Sequence, residues 1–306
     1  MRSLIAFFSG ICFLVATPTA LAWNGPGHMT SAAIAYADLK DRNPAVLEKV
    51  IEILKQHPQY ESKWAPKLEQ VSPRERDLYL LMFAATWPDD VRKKYPEYDR
   101  PAWHYVNIPY HPGKAGVTIP KGESIISAYL ENLSIVKSSH ADNEARAVAL
   151  CWLLHLIGDV HQPLHTVKLV TEQFPEGDRG GTRFYVLAPS GKTIGLHRFW
   201  DGLILGSKRP QEAGKEAVKL RKKPYLKREN FADRLAVKRF DDWAVEGHDI
   251  AIEQVYRRGT LQGSTEKDNG AALPNDYINK VKEVAERQIM LTGYRISDTM
   301  VDLLGR

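Results

Sequence analysis

Cysteine is scarce in this sequence, which has two among 306 residues, Cys12 and Cys151. Cys12 lies in an N-terminal apolar stretch typical of a removable leader, so Cys151 would remain alone. An intrachain disulfide is therefore excluded in the mature chain, and so is the class of small, disulfide-rich exported proteins. Stability must come from a sufficient hydrophobic core or from another cross-link, for which metal ions are one candidate.

Long apolar runs, internal repeats and low-complexity linkers are absent beyond that leader. Their absence excludes a bundle of membrane-spanning helices, a solenoid and a string of flexibly linked domains. The composition, 43% hydrophobic and 26% charged, is ordinary for a globular protein. We predict one mostly α domain over residues 23–306. The formal net charge of +5 suits a polyanionic partner without proving one.

Residues 1–22 are typical of a secretory signal peptide. Arg2 precedes the apolar run LIAFFSGICFLVA, which is short for a bilayer span, and ALA at 20–22 is a small-residue cleavage pattern. The alternative is an uncleaved membrane anchor. Cleavage would make Trp23 the first residue of a secreted or periplasmic protein without an anchor. Its α-amino group can be neutral near physiological pH, so this amine and the adjacent carbonyl could chelate a metal ion.

Helical periodicity dominates the predicted domain. The segment 145–160, ARAVALCWLLHLIGDV, is apolar on nearly every side and indicates a buried helix. The segment 182–197, TRFYVLAPSGKTIGLH, is typical of a short β-hairpin that turns at Pro-Ser-Gly. Further helices are predicted over segments 45–56, 76–85, 123–139, 228–256 and 275–304.

The predicted buried helix carries residues at a spacing typical of metal ligands. His155 and Asp159 are four residues apart and therefore share one helix face. Burying an imidazole and a carboxylate without partners is costly, and a metal ion would satisfy both. Pro163 ends the helix and returns His165 to the same region. A single buried histidine, by contrast, is more often an ordinary hydrogen-bonded core residue.

Similar residues recur along the chain. His197 and Asp201 repeat the four-residue spacing in HRFWD, and Asp89 follows the predicted helix 76–85 in WPDD. His104 lies in WHYVN, and His28 follows the predicted mature N-terminus. Five histidines, three aspartates and a chelating N-terminus together predict a metal site, because imidazole nitrogens and carboxylates are common metal ligands.

Other polar features receive a structural interpretation. His161 is predicted to be a structural hydrogen-bonding residue. The basic run 219–230, KLRKKPYLKREN, is interpreted as a solvated face, with guidance of nucleic acid as the alternative. Four histidines in polar or loop contexts are predicted to be solvated: His57, His111, His140 and His248.

The order of the motifs resembles the zinc-dependent S1/P1 nucleases. After the tryptophan come G-H, W-x-D, W-H-aromatic, H-x3-D-x-H-Q-P-L-H and L-H-x2-W-D, over residues 23–201. The segment LTGYRISDTMVDLL resembles the family's closing helix. This resemblance implies a single-domain phospholipase C/P1 nuclease-like helical fold and an S1/P1-type endonuclease. Its partners would be single-stranded DNA and RNA and nucleotides, and we predict a monomer.

The resemblance also implies three zinc ions and a role for each site residue. The implied ligands of the first ion are Asp89, His104, His155 and Asp159. Its close neighbour would be held by the amine and carbonyl of Trp23, by His28 and by the second oxygen of Asp159. The third ion would be held by His165, His197 and Asp201. In catalysis, Asp159 would bridge the close pair, Asp89 would orient the attacking water, and Arg92 would stabilise transition-state charge.

Two residues are implied in base recognition by the same resemblance. Tyr105 would stack on a base, and Asn107 would contact the base edge. Fungal members of the family have Asp at the position of Asn107. An amide both donates and accepts hydrogen bonds, so the base preference of this chain stays open.

We predict a nuclease whose products have 5′-phosphates and which also acts on 3′-nucleotides. Two other functions are alternatives to this prediction. A zinc phospholipase C would use Glu as its last ligand and a shorter gap between its last two histidines. This chain has Asp201 there, and His197 lies 32 positions after His165. A non-catalytic exported zinc-binding protein would close its coordination shells, whereas the residues here are too few to close three.

Overall fold

The computed structural model describes residues 23–206 and 209–305, so the predicted signal peptide lies outside the described residues. The described chain is mostly helical, as predicted. Its α-helices are α1 Gly25–Arg42, α2 Pro44–Leu54, α3 Ala65–Glu69, α4 Arg76–Asp90, α5 Ile125–Lys137, α6 Asn143–Val160, α7 Leu196–Asp201, α8 Pro210–Arg221, α9 Ala232–Ala236, α10 Phe240–Ile250 and α11 Tyr277–Leu304. Within these described ranges, no helix is long and apolar enough to cross a membrane.

The main hydrophobic core lies between the longest helices. α6 is buried along almost its whole length and packs against α4 and α5. α1 packs against α4, α8 and α11. Because α1, α4 and α6 all contact one another, side chains from distant parts of the sequence can meet inside this core.

Several helix starts follow from their capping residues. The side chain of Asp142 accepts a hydrogen bond from the backbone N–H of Ala145 at 2.7 Å, which begins α6. Asn24 caps α1 in the same way by accepting from the N–H of Gly27 at 3.0 Å. The sequence analysis did not predict α1. Its small residues give weak apolar periodicity, and the Asn24 cap with Pro26 in the first turn was the available sign.

The predicted hairpin is confirmed. The strands are β1 Pro109–Tyr110, β2 Lys168–Leu169, β3 Tyr185–Leu187, β4 Thr193–Gly195 and β5 Ala271–Ala272. β3 and β4 pair antiparallel with Tyr185 opposite Gly195, and Gly191 supplies the positive φ of +75° at the turn. β5 adds to β3 in parallel, and β1 pairs with β2 in parallel. The hairpin leads directly into α7.

The predicted continuous helix 228–256 is wrong. The chain forms α9, leaves helical geometry at Val237, whose ψ is 113°, and restarts as α10. The Val237 carbonyl accepts from the indole N–H of Trp243 at 2.8 Å, so it takes no part in a helical bond. Asp241 and Asp242 lie in the first turn of α10, where the helix dipole favours acidic side chains.

Candidate metal centre

α6 carries two of the predicted ligands into the core. His155 and Asp159 are fully buried on one face of the helix. Nδ1 of His155 lies 2.8 Å from the carbonyl oxygen of Ala85 in α4. A carbonyl can only accept, so Nδ1 carries the hydrogen of this bond. Nε2 of His155 is thereby left to face the Asp159 carboxylate at 3.2 Å.

The two oxygens of Asp159 face different imidazoles. Oδ1 lies 3.1 Å from Nε2 of His28, which α1 contributes. Oδ2 lies 3.0 Å from Nδ1 of His104 and 3.2 Å from Nε2 of His155. The rings of His28 and His155 stack with their centroids 4.0 Å apart. One carboxylate therefore separates two sets of nitrogen donors, the arrangement that a bridging ligand requires.

Asp89 completes this first group from α4. It was predicted to follow the helix, but it lies in the last turn of α4, because that helix continues through Pro88. Its Oδ1 lies 4.0 Å from Nδ1 of His104 and 3.9 Å from Nε2 of His155. Arg92, just after the helix, places Nη1 3.5 Å from the same oxygen and is itself mostly buried. A carboxylate and a guanidinium thus lie together at the edge of the group.

A second group forms where α6 ends and α7 begins. His165 follows α6 in a short 3-10 turn, and His197 and Asp201 are one turn apart on α7. Nε2 of His197 lies 3.1 Å from Nε2 of His165 and 3.7 Å from Oδ1 of Asp201. Gln162 donates from Nε2 to that same Asp201 oxygen at 2.8 Å.

Backbone carbonyls orient both rings of the second group. Nδ1 of His165 donates to the carbonyl of His104 at 2.5 Å, and Nδ1 of His197 donates to the carbonyl of Gly180 at 2.6 Å. Burial lowers the pKa of His165, so this ring is neutral and its Nε2 is a bare acceptor. Where His197 also carries its hydrogen on Nδ1 alone, two Nε2 lone pairs face each other, and a cation between them would bind both.

The buried carboxylates of the two groups also need positive charge nearby. Burial opposes the charge on Asp159, but the imidazole of His155 and hydrogen bonds from His104 hold its pKa well below the usual range. Burial would likewise lower the pKa of His155, yet Asp159 and Asp89 raise it to about 9. Burial raises the pKa of Asp201 well above its ordinary value. A bound cation would take the place of protons on these residues.

The donor sets fit metal ions in number and type. Three sets have one donor atom per residue within 4.8 Å of one another: His28, His155 and Asp159; Asp89, His104 and His155; His165, His197 and Asp201. Imidazole and carboxylate donors suit Zn²⁺, and their Nδ1–H bonds to carbonyls are the usual outer-shell support for such ligands. The structure thus brings together all eight predicted His and Asp ligands.

Trp23, the remaining predicted ligand, packs against the first turn of α1 and precedes a residue that is hydrogen-bonded to Asp201. Its side chain is fully buried, and its Cβ packs against Gly27, the neighbour of His28. The backbone N–H of Asn24 donates to the carbonyl of Asp201 at 3.3 Å. The residue after Trp23 is therefore fixed to a predicted ligand of the second group, while His28 in the first turn of α1 belongs to the first.

The two residues assigned to base contacts lie next to the centre. Tyr105 directly follows His104 in extended backbone, and its side chain is 41% exposed. Asn107 is half-buried and lies in a tight turn, in which the N–H of Ile108 donates to the carbonyl of Val106 at 3.1 Å. Val106, between them, donates its N–H to the carbonyl of His165 at 2.8 Å. An exposed aromatic ring and an amide therefore lie next in sequence to the predicted ligand His104.

Sequence reasoning missed the groups that orient the ligands. Gln162 and the carbonyls of Ala85 and Gly180 were not predicted, although Gln162 stands inside the HQPLH motif. A backbone carbonyl has no signature in the sequence, because every residue has one. His161 does act as a structural hydrogen-bonding residue, since its Nδ1 donates to the carbonyl of Ile157 at 2.6 Å.

Two histidines predicted to be solvated are buried instead. His57 stacks on Trp64 and meets Trp87 edge-on, and His248 lies within α10 with its side chain covered. A polar sequence context did not reveal this aromatic contact. The basic run 219–230 carries ion pairs to acidic residues of other helices, including Lys223 to Glu286.

A helical protein that gathers imidazoles and carboxylates from four helices into adjoining buried groups belongs to the class whose side chains could hold metal ions. The profile of the S1/P1 Nuclease family matches residues 23–305, and the chain belongs to this family. It is accordingly a nuclease, a hydrolase that acts on phosphoester bonds.

Three relatives support this assignment. The chain is 24% identical to Endonuclease 5 of Arabidopsis thaliana over 92% of its own length and 90% of that protein. It is 28% identical to Nuclease S1 of Aspergillus oryzae (strain ATCC 42149 / RIB 40) over 71% of its length and 77% of that protein. Endonuclease 4 of Arabidopsis thaliana is 22% identical over 92% of this chain and 89% of that protein.

Proposed function

We propose that the chain is an exported, zinc-dependent phosphodiesterase that hydrolyses single-stranded DNA and RNA to products with 5′-phosphates. Activity on 3′-nucleotides belongs to the same proposal. The observation that supports it most directly is the Asp159 carboxylate, whose two oxygens face His28 on one side and His104 with His155 on the other. Two-metal phosphoester enzymes need such a bridge.

Three zinc ions would be held by the predicted ligand sets. The amine and carbonyl of Trp23 would join His28 and Oδ1 of Asp159 in one set. The other sets are Asp89, His104, His155 and Asp159, and His165, His197 and Asp201. Each ion would then have three or four protein donor atoms, which leaves a position for water or phosphate in four-coordinate geometry at the third ion and in five-coordinate geometry at the other two. When bound, zinc supplies Lewis-acid chemistry that lowers the pKa of water and offsets phosphate charge.

The protein's own residues contribute orientation and charge around the phosphate. Asp89, at the edge of the first group, would accept a hydrogen bond from the attacking water and hold it in line with the scissile bond. Arg92, 3.5 Å from Asp89, would stabilise the additional negative charge of the transition state. Tyr105 would stack on a base of the substrate, and Asn107 would contact its edge.

Substrate shape follows from the exposure of the stacking ring. A base can lie flat on Tyr105 only when it is not stacked within a duplex, so a single strand is favoured. Any base has an aromatic face, so stacking on Tyr105 alone would accept DNA and RNA of any sequence. The relatives named as endonucleases favour nucleic acid over a phospholipid substrate.

Export would be required for assembly of the centre under this proposal. Cleavage after Ala22 would free the amine of Trp23, and the family match begins at this same residue. The mature protein would be a secreted or periplasmic monomer without a membrane anchor. Expression with the native leader and N-terminal sequencing of the exported product test the cleavage position.

Product analysis tests the proposed reaction. The exported protein, loaded with Zn²⁺, is incubated with a single-stranded oligonucleotide, its duplex, the RNA equivalent and phosphatidylcholine vesicles. We expect cleavage of both single strands, slower cleavage of the duplex, and new ends with 5′-phosphate. Asp159→Asn serves as the inactive control. Release of phosphocholine without cleavage of nucleic acid would favour the phospholipase alternative, and inactivity on every substrate would favour a zinc-binding protein.

A further inference from the structure

We propose that Asp178 is a positioning residue for the group formed by His165, His197 and Asp201, and that it acts through the backbone turn 178–181. This inference rests on the proposed role of that group as a metal site. Asp178 itself contacts none of the three predicted ligands among the described hydrogen bonds, and it belongs to the motif DRGGT, which the ligand pattern does not use.

The Asp178 carboxylate is completely buried and holds two segments of backbone. Its Oδ1 accepts from the N–H of Leu169 at 3.0 Å, and its Oδ2 accepts from the N–H of Gly181 at 2.9 Å. The hydroxyl of Tyr256 donates to the same Oδ2 at 2.5 Å. A carboxylate with three buried donors is fixed in orientation, because rotation would leave at least one donor unpaired.

The turn held by Asp178 has an unusual backbone. Arg179, Gly180 and Gly181 have φ angles of +55°, +57° and +80°, all in the left-handed region. A residue with a side chain rarely adopts this conformation, so Arg179 needs support from its surroundings. Gly180 has a further constraint, since a Cβ on it would lie 2.3 Å from the carbonyl oxygen of Leu164, the neighbour of His165. The turn therefore packs closely against the backbone next to His165.

The same turn binds the second histidine at two points. The carbonyl of Gly180 accepts from Nδ1 of His197 at 2.6 Å, and the carbonyl of Gly181 accepts from the backbone N–H of His197 at 3.2 Å. The first bond keeps the hydrogen on Nδ1 and leaves Nε2 for a metal ion. The second fixes the start of α7. Asp178 thereby determines both the tautomer and the location of His197.

Asparagine at position 178 would disturb this arrangement with little change in shape. One end of its amide is a donor, and each end of the native carboxylate faces an N–H group. In either orientation an NH₂ would meet an N–H of Leu169 or Gly181, so one of the two segments would be released. The Gly180 carbonyl could then rotate, and Nδ1 of His197 would lose its fixed acceptor.

The experiment compares Asp178→Asn, Tyr256→Phe and a control, Asp38→Asn, in the exported full chain. Asp38 is also a buried aspartate, but its partners are Arg42 and Arg228. Zinc affinity is measured by competition with a chromophoric chelator, and the tautomer of His197 is read from its imidazole ¹⁵N shifts in the metal-free protein. Melting temperatures report general stability.

We expect Asp178→Asn to lower the affinity for one of the zinc ions about 10- to 100-fold, while the other ions are retained. The Nδ1–H signature of His197 should become a mixture of tautomers. Tyr256→Phe keeps the hydrogen bonds of Asp178 to the N–H groups of Leu169 and Gly181, and it should lower the affinity for the same zinc ion about threefold. Asp38→Asn should lower the melting temperature without either effect. Unchanged affinity and tautomer in Asp178→Asn, or an equal change in Asp38→Asn, would overturn the inference.

Two further outcomes are informative. If Asp178→Asn does not fold, Tyr256→Phe decides, and no change in zinc affinity or in the His197 shifts would overturn the inference. The tautomer measurement needs neither zinc nor substrate. A protein without nuclease activity but with a perturbed His197 tautomer would therefore contradict the proposed function alone, whereas an active Asp178→Asn variant with native shifts would contradict the positioning role alone.

Discussion

The Nε2 atoms of His165 and His197 lie 3.1 Å apart, and Nδ1 of each ring donates to a backbone carbonyl. Where each ring carries its hydrogen on Nδ1 alone, the two facing atoms are both acceptors and cannot form a hydrogen bond with each other. The protein maintains this contact inside its core, with Asp201 close by. A bound cation converts the unfavourable contact into two coordinate bonds, so metal and stability should be coupled.

Chelation should therefore lower the melting temperature. Metal that binds only the folded state contributes about 2.7 kcal/mol when its free concentration is 100 times the dissociation constant. At about 2–4 °C per kcal/mol for a domain of this size, removal of zinc with EDTA should lower the melting temperature by roughly 5 °C or more. Differential scanning calorimetry of holo and metal-free protein measures this shift, and added zinc should reverse it. An unchanged melting curve, with zinc loss confirmed, would show that the fold does not depend on metal.

Asp159→Asn should be among the most damaging substitutions. The amide loses the negative charge, and it keeps one acceptor oxygen, which can face either His28 or the pair His104 and His155 but not both. We expect the protein to lose up to two zinc ions and its activity to fall by more than the about 10- to 100-fold typical of outer-shell changes. Native mass spectrometry counts the ions.

The matched control for Asp159→Asn is Asp38→Asn, which also neutralises a buried aspartate on a main helix but leaves the metal groups unchanged. It should keep the full metal content. Near-normal activity and zinc content in Asp159→Asn would contradict the bridging role.

The parts of the site that follow from periodicity could be predicted from the sequence. His155 and Asp159 fall on one face of an apolar helix, and a buried polar pair at this spacing needs a partner. The hairpin before His197 was also predictable, since its turn residues are local. Long-range contacts were not: the carbonyl of Gly180 orients His197 only because a left-handed turn is held in place by Asp178. The break at Val237 depends likewise on the tertiary contact with Trp243.

Burial of His57 predicts a pH dependence of stability. Burial, with a smaller contribution from Lys63, lowers the pKa of His57 to about 3. The unfolded chain should take up the proton near the ordinary value of 6.5, so the imidazole stabilises the fold above pH 6.5. This stabilisation should be lost as the pH falls from 6.5 towards 3, at up to about 1.4 kcal/mol per pH unit.

Urea unfolding of the wild type and His57→Phe between pH 4 and 7 measures this contribution. Phenylalanine keeps an aromatic ring between Trp64 and Trp87 but cannot be protonated. The free energy of unfolding of the variant should fall less steeply as the pH is lowered. The difference in slope should be up to about 1.4 kcal/mol per pH unit, the value for uptake of one proton. The variant also loses the hydrogen bond from the N–H of Gln59 to Nδ1, which should lower its stability equally at every pH in this range. Parallel pH profiles would contradict the lowered pKa of His57.

The sharpest prediction concerns the backbone of Trp23. Asn24 fastens this end of the chain, since its N–H donates to the carbonyl of Asp201 and its side-chain amide donates to the carbonyl of Leu205 at 2.8 Å. Trp23, the residue before Asn24, is thereby held close to the first turn of α1, which carries His28. If the amine of Trp23 is a zinc ligand, one additional residue ahead of it should be harmful. The extension would convert the amine to an amide, which lacks the lone pair that zinc needs.

Two preparations that differ by one N-terminal residue test this directly on the same single-stranded substrate. The extended protein should contain one zinc ion fewer and turn over much more slowly, because the carbonyl of Trp23, His28 and one oxygen of Asp159 would hold that ion weakly without the amine. Trp23→Phe is the matched control: it keeps the amine and carbonyl, and it shortens only the buried indole, so it should retain the full zinc content with a loss of stability of about 1–3 kcal/mol. Equal zinc content and equal rates in the two preparations would show that cleavage does not build the centre, and Trp23 would then contribute only its side chain to the core.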